Sequence, residues 1–184
     1  MIDQPQLFTE AMNLYSENGI KFTMDELAGR LCISKKTLYE MVRSKEDLIV
    51  QVIEFYFNGV AELQSAIHAD THLSAVEKLR KLLCATPDFA IRKVQLHELK
   101  MNYPAAFKVL DEKLRFGWEQ TLSVMDQAKA EGAVKEIDNL LFSKLYASTI
   151  EEIILGNDMD THLTFRQQQE QIVEILLFGI CKGQ

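Results

Sequence analysis

Residues 23–48 read TMDELAGRLCISKKTLYEMVRSKEDL, and the spacing within this stretch decides the fold. Thr23 stands three residues before Glu26. That is capping-box spacing, in which a hydroxyl and a carboxylate each satisfy an orphan N–H of a new helix, and it predicts a short helix from about Met24 to Leu31. A tight Cys32-Ile33 turn follows. Ser34 then opens a second short helix whose inward face is Leu38 and Val42, one turn apart, and which stops near Arg43. Ser44 and Asp47 repeat the capping-box spacing and launch a long helix through Leu48, Ile49, Val52, Ile53, Tyr56, Val60, Leu63 and Ile67.

Two short helices across a tight turn cannot bury a core alone, so the chain on both sides must cover them. Upstream, Leu7, Phe8, Ala11, Met12, Leu14 and Tyr15 form a broad apolar stripe on a helix from about Gln6 to Glu17, which Asn18-Gly19 ends. With the start of the long helix this makes a compact three-helix head of the helix-turn-helix plan, whose second short helix enters the DNA major groove N-terminus first. Lys35, Lys36, Tyr39 and Glu40 lie on that helix's free face, with Thr37 at its edge. The lysines are placed to reach guanine O6/N7 or phosphate, and Tyr39 to donate to a phosphate. Glu40 accepts only from a cytosine amine. Lys45 sits at a helix N-terminus, where N–H groups and dipole favour an anion, so a phosphate partner is expected. Thr23 and Ser34, which open the two helices, complete the candidate DNA-contacting set.

A net charge of −7 runs against nucleic-acid affinity, which draws on Lys and Arg replacing counterions. The charge is uneven. Residues 20–50 hold six bases against five acids, a net +1, which leaves −8 to the rest of the chain. A near-neutral head on an acidic body permits DNA binding and discourages non-specific adhesion.

The same stretch resembles the N-terminal signature of the TetR/AcrR family of regulators, with Thr23, Ala28, Ser34, Thr37, Leu38, Tyr39, Ser44, Lys45, Glu46 and Leu48 matching in register. The sequence departs from the family at Cys32, where Gly or Asn is usual, so that a positive φ there would cost about 1 kcal/mol. Met41 and Val42 replace a common His/Tyr-Phe pair, and Glu40 brings a carboxylate towards the groove. The resemblance implies a homodimeric transcription regulator that binds operator double-stranded DNA, a repressor released by a small apolar or amphiphilic effector. A helix-turn-helix protein controlled by a protein partner, or without an effector, remains the alternative.

Beyond the head, apolar residues keep helical spacing almost everywhere, and strand patterns are nearly absent. The expected architecture is all-α, with about nine helices: a DNA-binding domain over 1–47 and, joined by the long helix, an effector-binding and dimerisation domain over 48–184. Body helices are expected at about Leu73–Thr86, Pro87–Asn102, Ala105–Glu131, Ile137–Gly156 and Thr164–Cys181, with Tyr103-Pro104 as a break and Gly132 as a stop. The last two helices are apolar over more than one face, which requires a second buried surface. It is either a central position within one chain or, as the resemblance implies, a dimeric four-helix bundle using Leu141, Leu145, Ile172 and Leu176. Phe57, Phe89, His97, Tyr103, Phe116, Trp118 and Met125 form either ordinary core or, as the resemblance implies, the lining of an apolar effector cavity.

The remaining chemistry is sparse. Three scattered cysteines outside any C-x-x-C pair give neither a disulfide frame nor a zinc knuckle, and His68, Asp70 and His72 stand where a helix ends. No metal, cofactor or catalytic residue is expected. The chain has no G-x-S-x-G elbow, phosphate loop or H-E-x-x-H, so an enzyme is not expected. It also has no run of ~18 apolar residues and no basic-then-apolar leader, so a cytoplasmic location away from membranes is expected.

Overall fold

The structure, a computed structural model, describes residues 2–85, 93–116, 118–155 and 162–180. Among these, ten α-helices follow one another: α1 (Gln4–Asn18), α2 (Met24–Arg30), α3 (Lys35–Met41), α4 (Lys45–Ala69), α5 (Ala75–Cys84), α6 (Lys93–Asn102), α7 (Pro104–Phe116), α8 (Glu119–Ala130), α9 (Asn139–Leu155) and α10 (Phe165–Ile180), with a 3₁₀ turn at Gly19–Lys21. The expected all-α class stands. The count exceeds nine because the helix expected over Ala105–Glu131 is two, α7 ending at Phe116 and α8 starting at Glu119. No helix among the described residues is long and apolar enough to cross a membrane.

The chain divides into two compact units, Met1–Phe57 with Lys93–Leu114, and Asn58–Arg92 with Arg115–Gln184. This division differs from the expected boundary at 47/48. α4 contributes its first half to one unit and its second half to the other, and α6 and most of α7 pack with the head, where α6 meets the 3₁₀ turn.

The head core contains Leu7, Phe8, Ala11 and Leu14 of α1, Leu27 and Ala28 of α2, Leu38 of α3, and Leu48 and Val52 of α4, all buried. In the second unit α5 packs on α8 and α10, and α9 on α10. Leu79, Leu82, Val124, Met125, Phe142 and Val173 fill that core.

Local chemistry accounts for where the helices begin. At α2 the Thr23 hydroxyl accepts from the Glu26 N–H at 3.1 Å and the Glu26 carboxylate accepts from the Thr23 N–H at 2.6 Å, as the spacing predicts. The contact with the Thr23 N–H, then with its hydroxyl, holds the Glu26 carboxyl below its ordinary pKa. The second expected box closes only halfway. Ser44 Oγ accepts from the Asp47 N–H at 3.1 Å, but the Asp47 carboxylate reaches past Ser44 to the N–H of Arg43 at 2.8 Å.

The α2 and α8 C-termini use one motif. At α2 the Ile33 N–H donates to Ala28 O at 3.0 Å and the Cys32 N–H to Gly29 O at 3.1 Å. At α8 the Ala133 N–H donates to Ala128 O and the Gly132 N–H to Lys129 O, both at 2.9 Å. This is the Schellman pattern, which places the residue after the cap in the left-handed region. Gly132 occupies it at φ 70 without a Cβ penalty, whereas Cys32 occupies it at φ 53 with one. Cys32→Gly is therefore expected to stabilise the head by about 1 kcal/mol, read as a rise in melting temperature. An unchanged or lower value would show that the turn carries no strain.

Candidate nucleic-acid interface

α3 is seated by one residue and aimed by its caps. Leu38 is wholly buried and Val42 nearly so, while Lys35, Lys36, Thr37, Tyr39 and Glu40 are exposed, Tyr39 at 43%. The Ser34 hydroxyl accepts from the Thr37 N–H at 3.0 Å and lies 2.8 Å from the Thr37 hydroxyl. Ser34 and Thr37 thus fix the helix start, and Thr23 does the same for α2. One helix face is held against the head core and the other is offered outward. That is the arrangement a groove-reading helix needs.

The cations of the segment are not equally available. Arg30, at the end of α2, donates to Glu10 at 3.0 Å and to Glu17, tying α2 to α1. This pairing lowers the Glu17 pKa and raises that of Arg30. Lys21 lies 3.6 Å from Glu98 of α6. Lys35 lies 2.7 Å from the Asp25 carboxylate, which raises its pKa.

Lys45 differs from its expected role. Its ammonium donates to the carbonyls of Ile20 and Phe22, lies 4.2 Å from the centre of the Phe22 ring and 5.5 Å from that of Tyr103. Half-burial pushes its pKa down. A charge directed at two backbone carbonyls under aromatic rings clamps the 3₁₀ turn to α4, and a phosphate would have to displace those partners. Its neighbour Glu46 accepts from the Ala105 N–H at 2.8 Å, capping α7. The two consecutive residues Lys45 and Glu46 therefore tie the start of α4 to the 3₁₀ turn and to α7.

A polar groove of about 450 Å³ opens beside the end of α3, lined by Gln4, Tyr39, Glu40, Met41, Val42, Arg43, Asp47 and Gln51. Arg43, Gln4 and Gln51 were not among the residues expected at the interface. Arg43 follows the helix, and Gln4 and Gln51 come from α1 and α4, so no spacing within residues 34–42 points to them.

The residues expected to line an effector cavity fall in both units. His97 is exposed on α6, Tyr103 packs by Lys45, and Phe57 ends the head's share of α4. Trp118 and Met125 belong to the second unit, Met125 buried in its core and Trp118 edge-on to Tyr146 at 5.5 Å. Phe89 and the Phe116 side chain lie outside the described residues. Sequence reasoning missed a buried polar knot here. The Gln169 amide donates to Leu83 O at 3.0 Å and to the Tyr146 hydroxyl at 2.9 Å, and that hydroxyl donates to the same carbonyl. Burial raises the Tyr146 pKa. Gln169 lies within the run QQQEQ, which reads as solvated surface.

Of the residues expected at a dimer interface, Leu141 and Leu145 are exposed on α9, whereas Ile172 and Leu176 are half-buried, Leu176 against its own core. The outermost apolar side chains of α10 are Ile175 at 71% and Phe178 at 88% exposure.

No family model matches the chain. Over 178 residues it is 27% identical to the uncharacterized HTH-type transcriptional regulator YvaF of Bacillus subtilis (strain 168), covering 95% of this chain and 94% of that protein. Among solved structures, the TetR-family transcriptional regulator PfmR from Thermus thermophilus is similar with a TM-score of 0.72 at 19% identity, covering 96% of this chain and 98% of that one. AibR in complex with isovaleryl coenzyme A and operator DNA is similar with a TM-score of 0.64 at 17% identity, covering 94% and 97%.

Proposed function

We propose, from the premise that this chain has the fold of TetR-family regulators, that it is a DNA-binding transcriptional regulator, a homodimeric repressor released from its operator by a small amphiphilic ligand. The observation that carries this reading is α3: Leu38 and Val42 hold it to the head while Lys36, Thr37, Tyr39 and Glu40 face outward. Those side chains read base edges and backbone, and Thr23 and Ser34 act on the operator through the helices they cap. The exposed Leu140, Leu141, Leu145, Ile175 and Phe178 support dimerisation, since so many large apolar side chains on α9 and α10 exceed what a soluble monomer usually leaves in water.

An effector would act by binding one body conformation better than the other. α6 and α7 are held to the rest of the head's unit by three contacts, Glu98 with Lys21, Tyr103 with Lys45, and the Ala105 N–H with Glu46, so a ligand that shifts α6 or α7 would shift the start of α4. In the second unit the Tyr146 hydroxyl and Gln169 amide bond to each other and to the Leu83 carbonyl within an apolar core that includes Met125, so a ligand that entered there would have to exchange those bonds for its own polar group. AibR's isovaleryl coenzyme A makes acyl thioesters the first compounds to try.

The test uses a duplex selected from a randomised library by the full chain, titrated in the presence of acyl-coenzyme A thioesters and free fatty acids of increasing length. A coupling of roughly 1–3 kcal/mol lowers DNA affinity about 5- to 150-fold, and linkage requires the duplex to weaken ligand binding by the same factor. The effector should also raise the melting temperature. A compound that raises it while DNA affinity stays constant would mark a pocket without a switch, and the partner-controlled reading would take over.

A further inference from the structure

We infer that Arg43 holds an operator phosphate in the groove beside α3, so that Arg43 and Lys36 supply the DNA-facing charge of the head. This rests on the DNA-binding reading above. Of the six bases between residues 20 and 50, four are engaged within the protein: Lys21 by Glu98, Arg30 by Glu10 and Glu17, Lys35 by Asp25, and Lys45 by the Ile20 and Phe22 carbonyls. Among the described residues, neither Lys36 nor the Arg43 guanidinium has an acidic side chain within 4.0 Å, and both are exposed. Lys36 lies in the first turn of α3 and Arg43 just beyond its last, so the available charge brackets the helix that carries Tyr39.

The groove suits a phosphodiester. The Arg43 guanidinium is a planar fork that fits two phosphate oxygens, and Tyr39, which lines the same groove, carries a hydroxyl as a further donor. Two carboxylates share the groove. That of Asp47 already accepts from the Arg43 N–H at 2.8 Å and the Gln51 amide at 3.0 Å, which offsets part of its charge. Glu40 opposes an anion, and this restricts the seat to a phosphate that the duplex delivers on the Arg43 side.

The experiment measures affinity of the full chain for the library-selected duplex across a salt series, for wild type, Arg43→Ala, Arg43→Lys and Lys108→Ala, a surface charge outside the segment. Arg43→Ala is expected to flatten the log–log slope by about 0.9 per bound chain, so that its deficit against wild type narrows about threefold per chain between about 50 and 200 mM salt. Arg43→Lys should retain the wild-type slope, Lys108→Ala should match wild type, and the preferred sequence should be the same for all four. A wild-type slope in Arg43→Ala would overturn the assignment. So would a slope equally flat in Arg43→Lys, since that would report shape rather than charge, and so would an altered base preference. Failure of wild type to bind any duplex would instead sink the DNA-binding reading itself.

Discussion

The double variant Ile175→Asp/Phe178→Asp is expected to sediment as a monomer at concentrations where the wild-type chain is a dimer. Both side chains project from α10 into water within one chain, so replacing them leaves the monomer core of Leu79, Met125, Phe142 and Val173 in place. In a two-fold dimer each substitution occurs twice, and a buried interface side chain costs about 2–4 kcal/mol when removed. Four side chains change per dimer, so even at the lower figure the loss is about 8 kcal/mol: dimer affinity should fall by about five orders of magnitude or more, and affinity for a two-half-site operator should fall with it. Ile172 and Leu176 are poorer positions for this test, because each is half-buried and its loss would report folding as well as assembly. A double variant that remains dimeric would move the interface away from α10.

Leu38→Ala should unseat the recognition helix. Leu38 is the sole fully buried residue of the seven-residue α3, and truncating such a leucine costs about 2–5 kcal/mol through lost transfer energy and an unfilled cavity. Hydrogen exchange should show amides of residues 24–42 losing protection while those of α5 and α8, in the other unit, keep theirs, with DNA binding lost in parallel. Equal loss of protection throughout would mean that the two units unfold as one, and unchanged DNA binding would remove α3 as the reader.

These two residues also illustrate what was legible in advance. Leu38 was recognisable as inward because Val42 lies one turn away and Ser34 marks the helix start, so periodicity and capping agree. The Thr23–Glu26 box and the stop at Gly132 were readable for the same reason, since each depends on residues close together in sequence, whereas the strain at Cys32 was foreshadowed only by the family resemblance, in which Gly or Asn is usual at that position. Phe178 was harder. Apolar coverage of more than one face of α10 revealed that a second surface existed, but periodicity could not rank Ile175 and Phe178 above Ile172 and Leu176.

The unexpected features depend on partners distant in sequence. Lys45 looked like a phosphate ligand because its helix-terminal position favours an anion, and nothing near it foretold the carbonyls of Ile20 and Phe22, more than twenty residues upstream. The Asp47 carboxylate bypassed the N–H that capping-box spacing assigns to it. Gln169 appeared solvated within its polar run until Tyr146 and the Leu83 carbonyl, 23 and 86 residues away, proved to bury it. The company α6 and α7 keep was hidden likewise, because α6 and most of α7 follow α5 in sequence yet pack in one unit with α1, α2, α3 and the first half of α4.

Selection from a randomised duplex library by the full chain tests the central claim most directly. The account predicts enrichment of one inverted repeat whose half-sites lie about 34–36 Å apart or a multiple of that, the spacing at which two α3 helices of a two-fold dimer meet successive major grooves. Lys36→Ala should bind the selected duplex more weakly than wild type. A library that emerges with the same sequences it entered with would contradict the claim.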